Sequence, residues 1–177
     1  MTNNNKKRNI TVNELITKFN LKRDEQGKWG FLNEHIDTVQ HMDYSSVVAL
    51  ADMIVNRSCL DKEGNIKIDS CMKYLLYVFT LFNSYTNVTV DASNWSYEYD
   101  QLDKYGLVDM IISMIPEKEV QKLNKTVSMK TNDLIENNNN VQNFISKKFE
   151  ELKPFIGENL NKFIEYAMNV VQETYGE

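Results

Sequence analysis

The sequence predicts a mainly α protein, a helical bundle with one or two small β-hairpins or extended loops and long C-terminal helices. The 177-residue chain has only 6 Gly and 2 Pro, so it contains few of the residues that interrupt helices. Apolar residues recur at intervals of three or four over most of its length, as on the buried face of a helix. Its hydrophobic fraction of 42% and charged fraction of 25% are typical of a soluble globular chain that buries a real core.

We expect three parts along the chain. Residues 1–9, "MTNNNKKRN", are basic and Asn-rich and predict a flexible, solvated tail. The alternative for this tail is an arm that grips a partner or nucleic acid through Lys6, Lys7 and Arg8. Residues 10–115 predict a compact, mostly helical domain. Residues 116–177 predict a C-terminal helical segment that packs on this domain or projects to partners.

The first elements are a short helix and a small hairpin. Thr11 and Glu14 have the spacing of a capping box, and Ile10 precedes the cap, so a helix begins here. Gln26-Gly27 then lies between short segments, with Trp29 and Phe31 at alternating positions. That pattern favours a hairpin or a turn against the core.

Two core helices follow. Asp43 or Ser45 caps the first, whose apolar stripe predicts that it is buried. The second begins near Asp69 or Ser70. Its core positions, at helical spacing, are Tyr74, Leu75, Val78, Phe79 and Phe82. Cys71 belongs to the same pattern and is expected to be a small core residue.

The loop between these helices, "DKEGNIKID" at residues 61–69, has oxygen-bearing side chains at alternate positions. If Asp61 opened an EF-hand loop, Ile66 would occupy the glycine position and Met72 the position of the bidentate glutamate. The calcium pattern therefore fails where its geometry is strictest. We predict a hairpin that turns on residues 63–65 without a ligand.

The middle of the chain is predicted to contain a short extended segment, which a group of aromatic residues follows. β-Branched residues at 86–90 indicate a short extended segment. Asn87 begins one of five Asn-x-Ser/Thr sequences, which we attribute to the abundance of these residues. Trp95, Tyr97 and Tyr99 follow, and they either pack over the core or form a protein interface.

The C-terminal part is predicted to be almost wholly helical. Pro116 should end one helix and open the next, because the residue before a proline avoids helical geometry. Residues 137–140, "NNNN", are either a turn or part of one long helix, and Pro154 and Gly157 are expected to interrupt the last helices. A continuous helix would need a partner to cover its apolar stripe. The interface candidates on this segment are Phe144, Phe149, Phe155 and Phe163.

No catalytic or cofactor signature is present in the sequence. Neither GxSxG nor GxGxxG nor GxxxxGK[ST] occurs, and Cys59, Cys71, His35 and His41 lack zinc-finger spacing. The carboxylates of the middle segment are expected on solvated helix faces; they are Glu98, Asp100, Asp103 and Asp109. We therefore predict a protein that is not an enzyme and has no cofactor and no metal.

Charge and hydropathy limit the classes of partner that the chain is expected to bind. The formal net charge of −5 and pI of about 5.2 disfavour direct nucleic-acid binding, apart from the N-terminal basic arm. No apolar run approaches the ~18 residues of a membrane span. We expect protein partners and no membrane.

The stretches "VVALADMIVNRS", "KYLLYVFTLFNSYTNVTVD" and "YEYDQLDKYGLVDMIISMIPEKEV" resemble small proteins encoded among the morphogenesis genes of tailed phages of low-GC Gram-positive bacteria. The resemblance covers residues 45–153 and concerns the overall sequence pattern rather than a specific motif. No functional residue is therefore assigned from it. It implies a non-enzymatic virion or assembly protein, such as a connector of the head–tail neck. Such a protein would be multimeric and engaged with portal or tail subunits.

The leading hypothesis is a virion component that forms a homo-oligomer in the assembled particle and occurs in the host cytoplasm during assembly. One alternative is a tail assembly chaperone that is absent from the finished particle. A second is an acidic inhibitor of a host protein, which would bind one basic target tightly.

Overall fold

A computed structural model of the chain describes residues 7–156, and within this range the side chains other than those of residues 140–143 and 147–156. Seven helices and two short strands occur in the described part, which confirms the mainly α class. The helices are α1 (Val12–Asn20), α2 (Glu25–His35), α3 (Tyr44–Cys59), α4 (Ser70–Tyr85), α5 (Trp95–Lys104), α6 (Leu107–Met114) and α7 (Glu117–Ile156). The strands are β1 (Ile10–Thr11) and β2 (Val88–Thr89).

The chain divides into two compact units, Met1–Asn132 and Asp133–Glu177. The first unit extends beyond residue 115, the end of the domain expected from the sequence. It does so because the beginning of α7 is buried in it, with Leu123 fully covered and Val127 5% exposed. The principal hydrophobic cluster of this unit draws on both strands and on α1, α2, α4, α5 and α6.

Helix starts are defined by the side chains that the sequence singles out. The Thr11 hydroxyl accepts the Glu14 N–H at 3.3 Å and so caps α1. Aspartates cap the two core helices, because Asp43 accepts from Ser46 and Asp69 from Met72, both at 2.9 Å. Each cap satisfies one backbone donor that would have no partner within its helix.

The prediction of a hairpin around Gln26-Gly27 is wrong, because this segment forms α2. Asp24 accepts the Gly27 N–H at 2.6 Å and caps the helix. Phe31 and Leu32 are buried on one side of α2. The alternation of Trp29 and Phe31 is too short to outweigh a capped helix with a buried face.

Two residues expected in the core of α4 are exposed. Cys71 is on the surface, and Tyr74 is 51% exposed. Both lie in the first turns of α4, whereas its fully buried positions start at Val78. The buried cysteine is Cys59, at the end of α3.

The loop at residues 61–69 contains the predicted turn. Asp61 N–H donates to the Asn65 carbonyl at 2.9 Å, and Leu60 and Ile66 form an antiparallel bridge. Gly64 has φ +86°, a conformation that glycine adopts without strain. The Asp61 carboxylate accepts the Asn65 and Glu63 N–H groups at 2.8 and 3.0 Å, and these bonds, that of Asn65 above all, hold the pKa of Asp61 below its ordinary value.

The extended segment predicted at residues 86–90 is present and pairs with the N-terminal strand. β1 and β2 are parallel, with Ile10 opposite Val88. This pairing holds the start of the chain against the middle of the first unit.

Residues 7–9 are not part of a free tail. The Lys7 N–H donates to Asp37 at 2.7 Å, and its ammonium donates to the Asn33 and Ile36 carbonyls at 2.8 and 2.9 Å. These carbonyls lie at the C-terminal end of α2, where a cation is favoured by the helix dipole. The expectation of a flexible tail over residues 1–6 lies outside the described residues.

α7 is one continuous helix through residues 137–140, so the turn alternative does not apply. It also includes Pro154 and reaches Ile156, which corrects the expectation that Pro154 interrupts the helix. Its start is as predicted, since Ile115 before Pro116 is extended with ψ 136°. The expected interruption at Gly157 lies outside the described residues.

Candidate protein-interaction surfaces

Trp95 is a core residue rather than an interface residue. It is 7% exposed, its indole N–H donates to the Leu75 carbonyl at 2.8 Å, and its ring packs edge-on against Phe79 at 5.5 Å between centroids. An indole needs such an acceptor when it is buried. The interface prediction is therefore wrong for Trp95, and the core-packing alternative applies.

Tyr99 and Tyr74 form a fixed aromatic pair at the surface. The Tyr99 hydroxyl donates to the Tyr74 hydroxyl at 3.2 Å, and the rings meet edge-on at 6.0 Å. Tyr99 also packs against Trp95 at 6.0 Å, so the pair stands on the core. Tyr74 keeps about half of its surface exposed. We define the tyrosine surface as Tyr74, Tyr99, Asp103 and Asp109.

The tyrosine surface has a negative environment. The hydrogen bond to Tyr74 is the largest cause that raises the pKa of Tyr99 above its ordinary value, and burial and the charges of Asp103 and Asp109 act in the same direction. Asp103 lies one turn after Tyr99 on α5, and Asp109 lies in the first turn of α6. Both carboxylates are exposed, and neither forms an ion pair within the described part of the chain.

Tyr97 is separate from this pair. Its side chain is 58% exposed, and its role at an interface stays a prediction. Residues two positions apart in a helix do not face each other, so Tyr97 and Tyr99 belong to different faces of α5. The three aromatic residues grouped by the sequence thus have three different environments.

The C-terminal candidates lie on or beyond α7. Phe144 is 62% exposed and its neighbour Ile145 is 55% exposed. Phe149 and Phe155 are part of α7, but the structure does not describe their side chains. Phe163 lies outside the described residues altogether.

A basic corner, which the sequence patterns did not indicate, joins α1 to α2. We define it as Leu21, Lys22, Arg23, Lys28 and Trp29. Leu21 is 75% exposed and Trp29 36% exposed. The ammonium groups of Lys22 and Lys28 lie over the rings of Phe31 and Phe19, at 5.8 and 5.1 Å. In the sequence, the available signal of this corner was the pair of adjacent cations Lys22 and Arg23 after Leu21.

The surface grooves of the first unit include two that are lined by ionisable residues. One, of about 760 Å³, lies between the end of α3 and the start of α4 and is lined by Arg57, Asp61, Lys67 and others. The other, of about 310 Å³, lies beside Lys7 and Glu14. Among the described residues, no group of three His, Cys, Asp or Glu side chains is placed to hold a metal ion.

A buried ionic cluster ties the start of α7 to the loop before α3. Glu119 is 1% exposed, accepts the Met42 N–H at 3.1 Å, and contacts Lys122 at 2.7 Å and His41 at 3.4 Å. Burial would raise the pKa of Glu119, but its bonds to Lys122 and Met42 lower it below the ordinary value. The pKa of the nearby Tyr85, raised by burial, is about 12. Because Glu119 is buried, loss of one of its partners would leave its charge uncompensated.

Comparisons with known proteins identify no relative. No family model, no curated protein and no solved structure matches the chain. Within residues 7–156, none of the helices combines the length and apolarity needed to cross a membrane.

Proposed function

We propose that the chain is a non-enzymatic structural or assembly protein of a tailed phage, and that it acts in the virion as a head–tail neck connector. Its partners are portal or tail subunits, or further copies of itself. The observation that carries this proposal is the continuous helix α7, which bears the exposed side chains of Phe144 and Ile145 in the second compact unit. The textural resemblance of residues 45–153 to phage morphogenesis proteins supports the phage setting.

The physical argument concerns the apolar stripe of α7. Exposure of two adjacent large apolar side chains, each more than half exposed, is unfavourable in water, and the free energy falls when a partner covers them. In sequence, the stripe continues at helical spacing through Phe149 and Leu152. An amphipathic helix of this kind fits into a groove of another protein.

The test is made in the phage that encodes the chain. Phe144→Asp should yield filled heads and free tails that fail to join, seen by electron microscopy, because a charge opposes burial of the stripe. Ser146→Asp adds the same charge at an exposed neighbouring position of α7 and should leave virions intact. Intact, infectious virions with Phe144→Asp would contradict the proposal.

Mass spectrometry of purified virions separates the connector from the alternatives. A connector remains in the finished particle at a fixed copy number. If the chain is made in infected cells but is absent from virions, the connector proposal is wrong. The tail assembly chaperone or the host inhibitor would then take its place.

A further inference from the structure

The tyrosine surface has the chemistry of a cation-binding face. The Tyr74 ring is half exposed and held in place by the Tyr99 hydroxyl at 3.2 Å, so little side-chain freedom is lost when a partner covers it. The face of a tyrosine ring attracts cations, and the nearby Asp103 and Asp109 add negative charge. A partner that offers a guanidinium group would meet both the ring and the carboxylates.

The basic corner offers the complementary chemistry on the same chain. Arg23 is exposed and forms no ion pair within the described residues. Lys22 and Lys28 are drawn onto aromatic rings of their own chain, which leaves Arg23 as the most available cation there. Leu21, 75% exposed beside it, supplies apolar area for a contact.

We propose that the basic corner of one copy docks on the tyrosine surface of a second copy, with the Arg23 guanidinium over the Tyr74 ring and paired with Asp103. The inference rests on the proposed function for its setting, a particle component present in several copies. Because the two patches are different, each copy can dock its basic corner on one neighbour and offer its tyrosine surface to another. Such a contact closes into a ring when the rotation between copies permits it.

The experiment measures self-association of the full chain by mass-resolved light scattering over a concentration series. Arg23→Glu and Asp103→Arg should each raise the dissociation constant by about ten-fold or more, because a like-charge pair replaces an attractive one. An equimolar mixture of the two variants should regain most of the association. In the mixture, the carboxylate introduced at position 23 of one chain can face the guanidinium introduced at position 103 of the other, while the wild-type pairing also remains available.

Two control variants carry the same charge changes elsewhere. Lys62→Glu and Glu63→Arg lie in the exposed turn after α3 and should associate like the wild type. Circular dichroism should show unchanged helicity for all four variants, because each substituted side chain is exposed.

The inference is overturned if the wild-type chain stays monomeric at every concentration, or if the Arg23 and Asp103 variants associate like the controls. It is also overturned if both single variants dissociate but their mixture does not recover. These readouts are native masses, whereas the proposed function is judged by the joining of heads and tails and by presence in virions. Failure of one is therefore distinguishable from failure of the other.

Discussion

Asn87 joins three segments of the first unit through one buried side chain. Its amide oxygen accepts the Asp37 N–H at 2.7 Å, and its amide nitrogen donates to the Arg8 and His35 carbonyls at 2.8 and 3.0 Å. The residue is 7% exposed, so water cannot readily replace these bonds. The sequence marked Asn87 only as the start of an Asn-Val-Thr triplet, and nothing in that triplet indicates that its partners are far along the chain.

Asn87→Ala should lower the free energy of unfolding by about 2–4 kcal/mol, because three partly buried backbone groups lose their partner at once. Urea denaturation followed by circular dichroism measures this change. Asn94→Ala is the matched control, since Asn94 is exposed and its side chain makes no capping bond at the start of α5. Equal losses for the two variants would show that the Asn87 network is not formed.

Because of Glu119, the free energy of unfolding is expected to change with pH in the acidic range. Its bonds to Lys122 and Met42 outweigh burial and hold its pKa in the folded protein below the ordinary value of 4.5. A carboxyl with a lowered folded pKa contributes stability that is present above its unfolded pKa and lost as pH falls through its folded pKa.

We predict that Glu119→Gln is less stable than the wild type at pH 7 and that this difference narrows as pH falls below 4.5. Urea unfolding of both proteins at a series of pH values measures how the difference between their free energies of unfolding changes. Glu136→Gln, at an exposed position of α7, should follow the wild-type profile throughout. A gap between Glu119→Gln and wild type that is constant with pH would contradict the ionised cluster.

At the scale of elements, the two glycines of α2 distinguish the helix from the hairpin that the sequence suggested. A Cβ at Gly30 would meet nothing within 4 Å, whereas one at Gly27 would lie 3.1 Å from the capping oxygen of Asp24. Gly30→Ala should therefore raise the free energy of unfolding by about 0.5–1 kcal/mol, because alanine loses less backbone entropy in a helix.

Gly27→Ala serves as the matched variant, made in the same helix with the same added methyl group. Its gain should be smaller or reversed, because the new Cβ crowds the cap. Thermal unfolding of both variants compares them directly. A loss of stability with Gly30→Ala would argue against a helix at this position.

The elements that the sequence predicted correctly are those in which a cap and a long apolar period agree. α3 and α4 each follow a capping aspartate and continue with core residues at helical spacing, so local and global preferences coincide. α2 contains two glycines and a short buried face, so its sequence pattern did not distinguish a helix from a hairpin. The partners of Lys7 and the pairing of Tyr74 with Tyr99 arise from tertiary contacts between distant segments, which periodicity does not report.

The candidate surface residues differ in their exposure. Tyr97 and Phe144 are exposed and their role at an interface stays a prediction, whereas Trp95 is buried and its indole N–H donates to a carbonyl of α4. Spacing alone does not distinguish an aromatic residue that packs inward from one that faces solvent. Arg23 forms no ion pair among the described residues, which spacing along the chain does not report.

At the scale of the whole molecule, the position of the boundary between units can be tested by truncation. A chain that ends at Asn132 keeps Glu119, Leu123 and Val127, which are buried in the first unit. We predict that it unfolds cooperatively in urea. A chain that ends at Ile115, the boundary expected from the sequence, should be less stable by at least about 3 kcal/mol, since two buried aliphatic side chains are lost.

The truncation at Ile115 also removes specific polar partners. The Tyr77 hydroxyl, which donates to the Val120 carbonyl at 3.1 Å, and the Met42 N–H, which donates to Glu119, would lose their acceptors. The comparison of the two truncated chains is therefore a test of the packing of α7 rather than of chain length. If the chain ending at Ile115 proved as stable as the one ending at Asn132, the beginning of α7 would not belong to the first unit, and the sequence-based boundary would be correct.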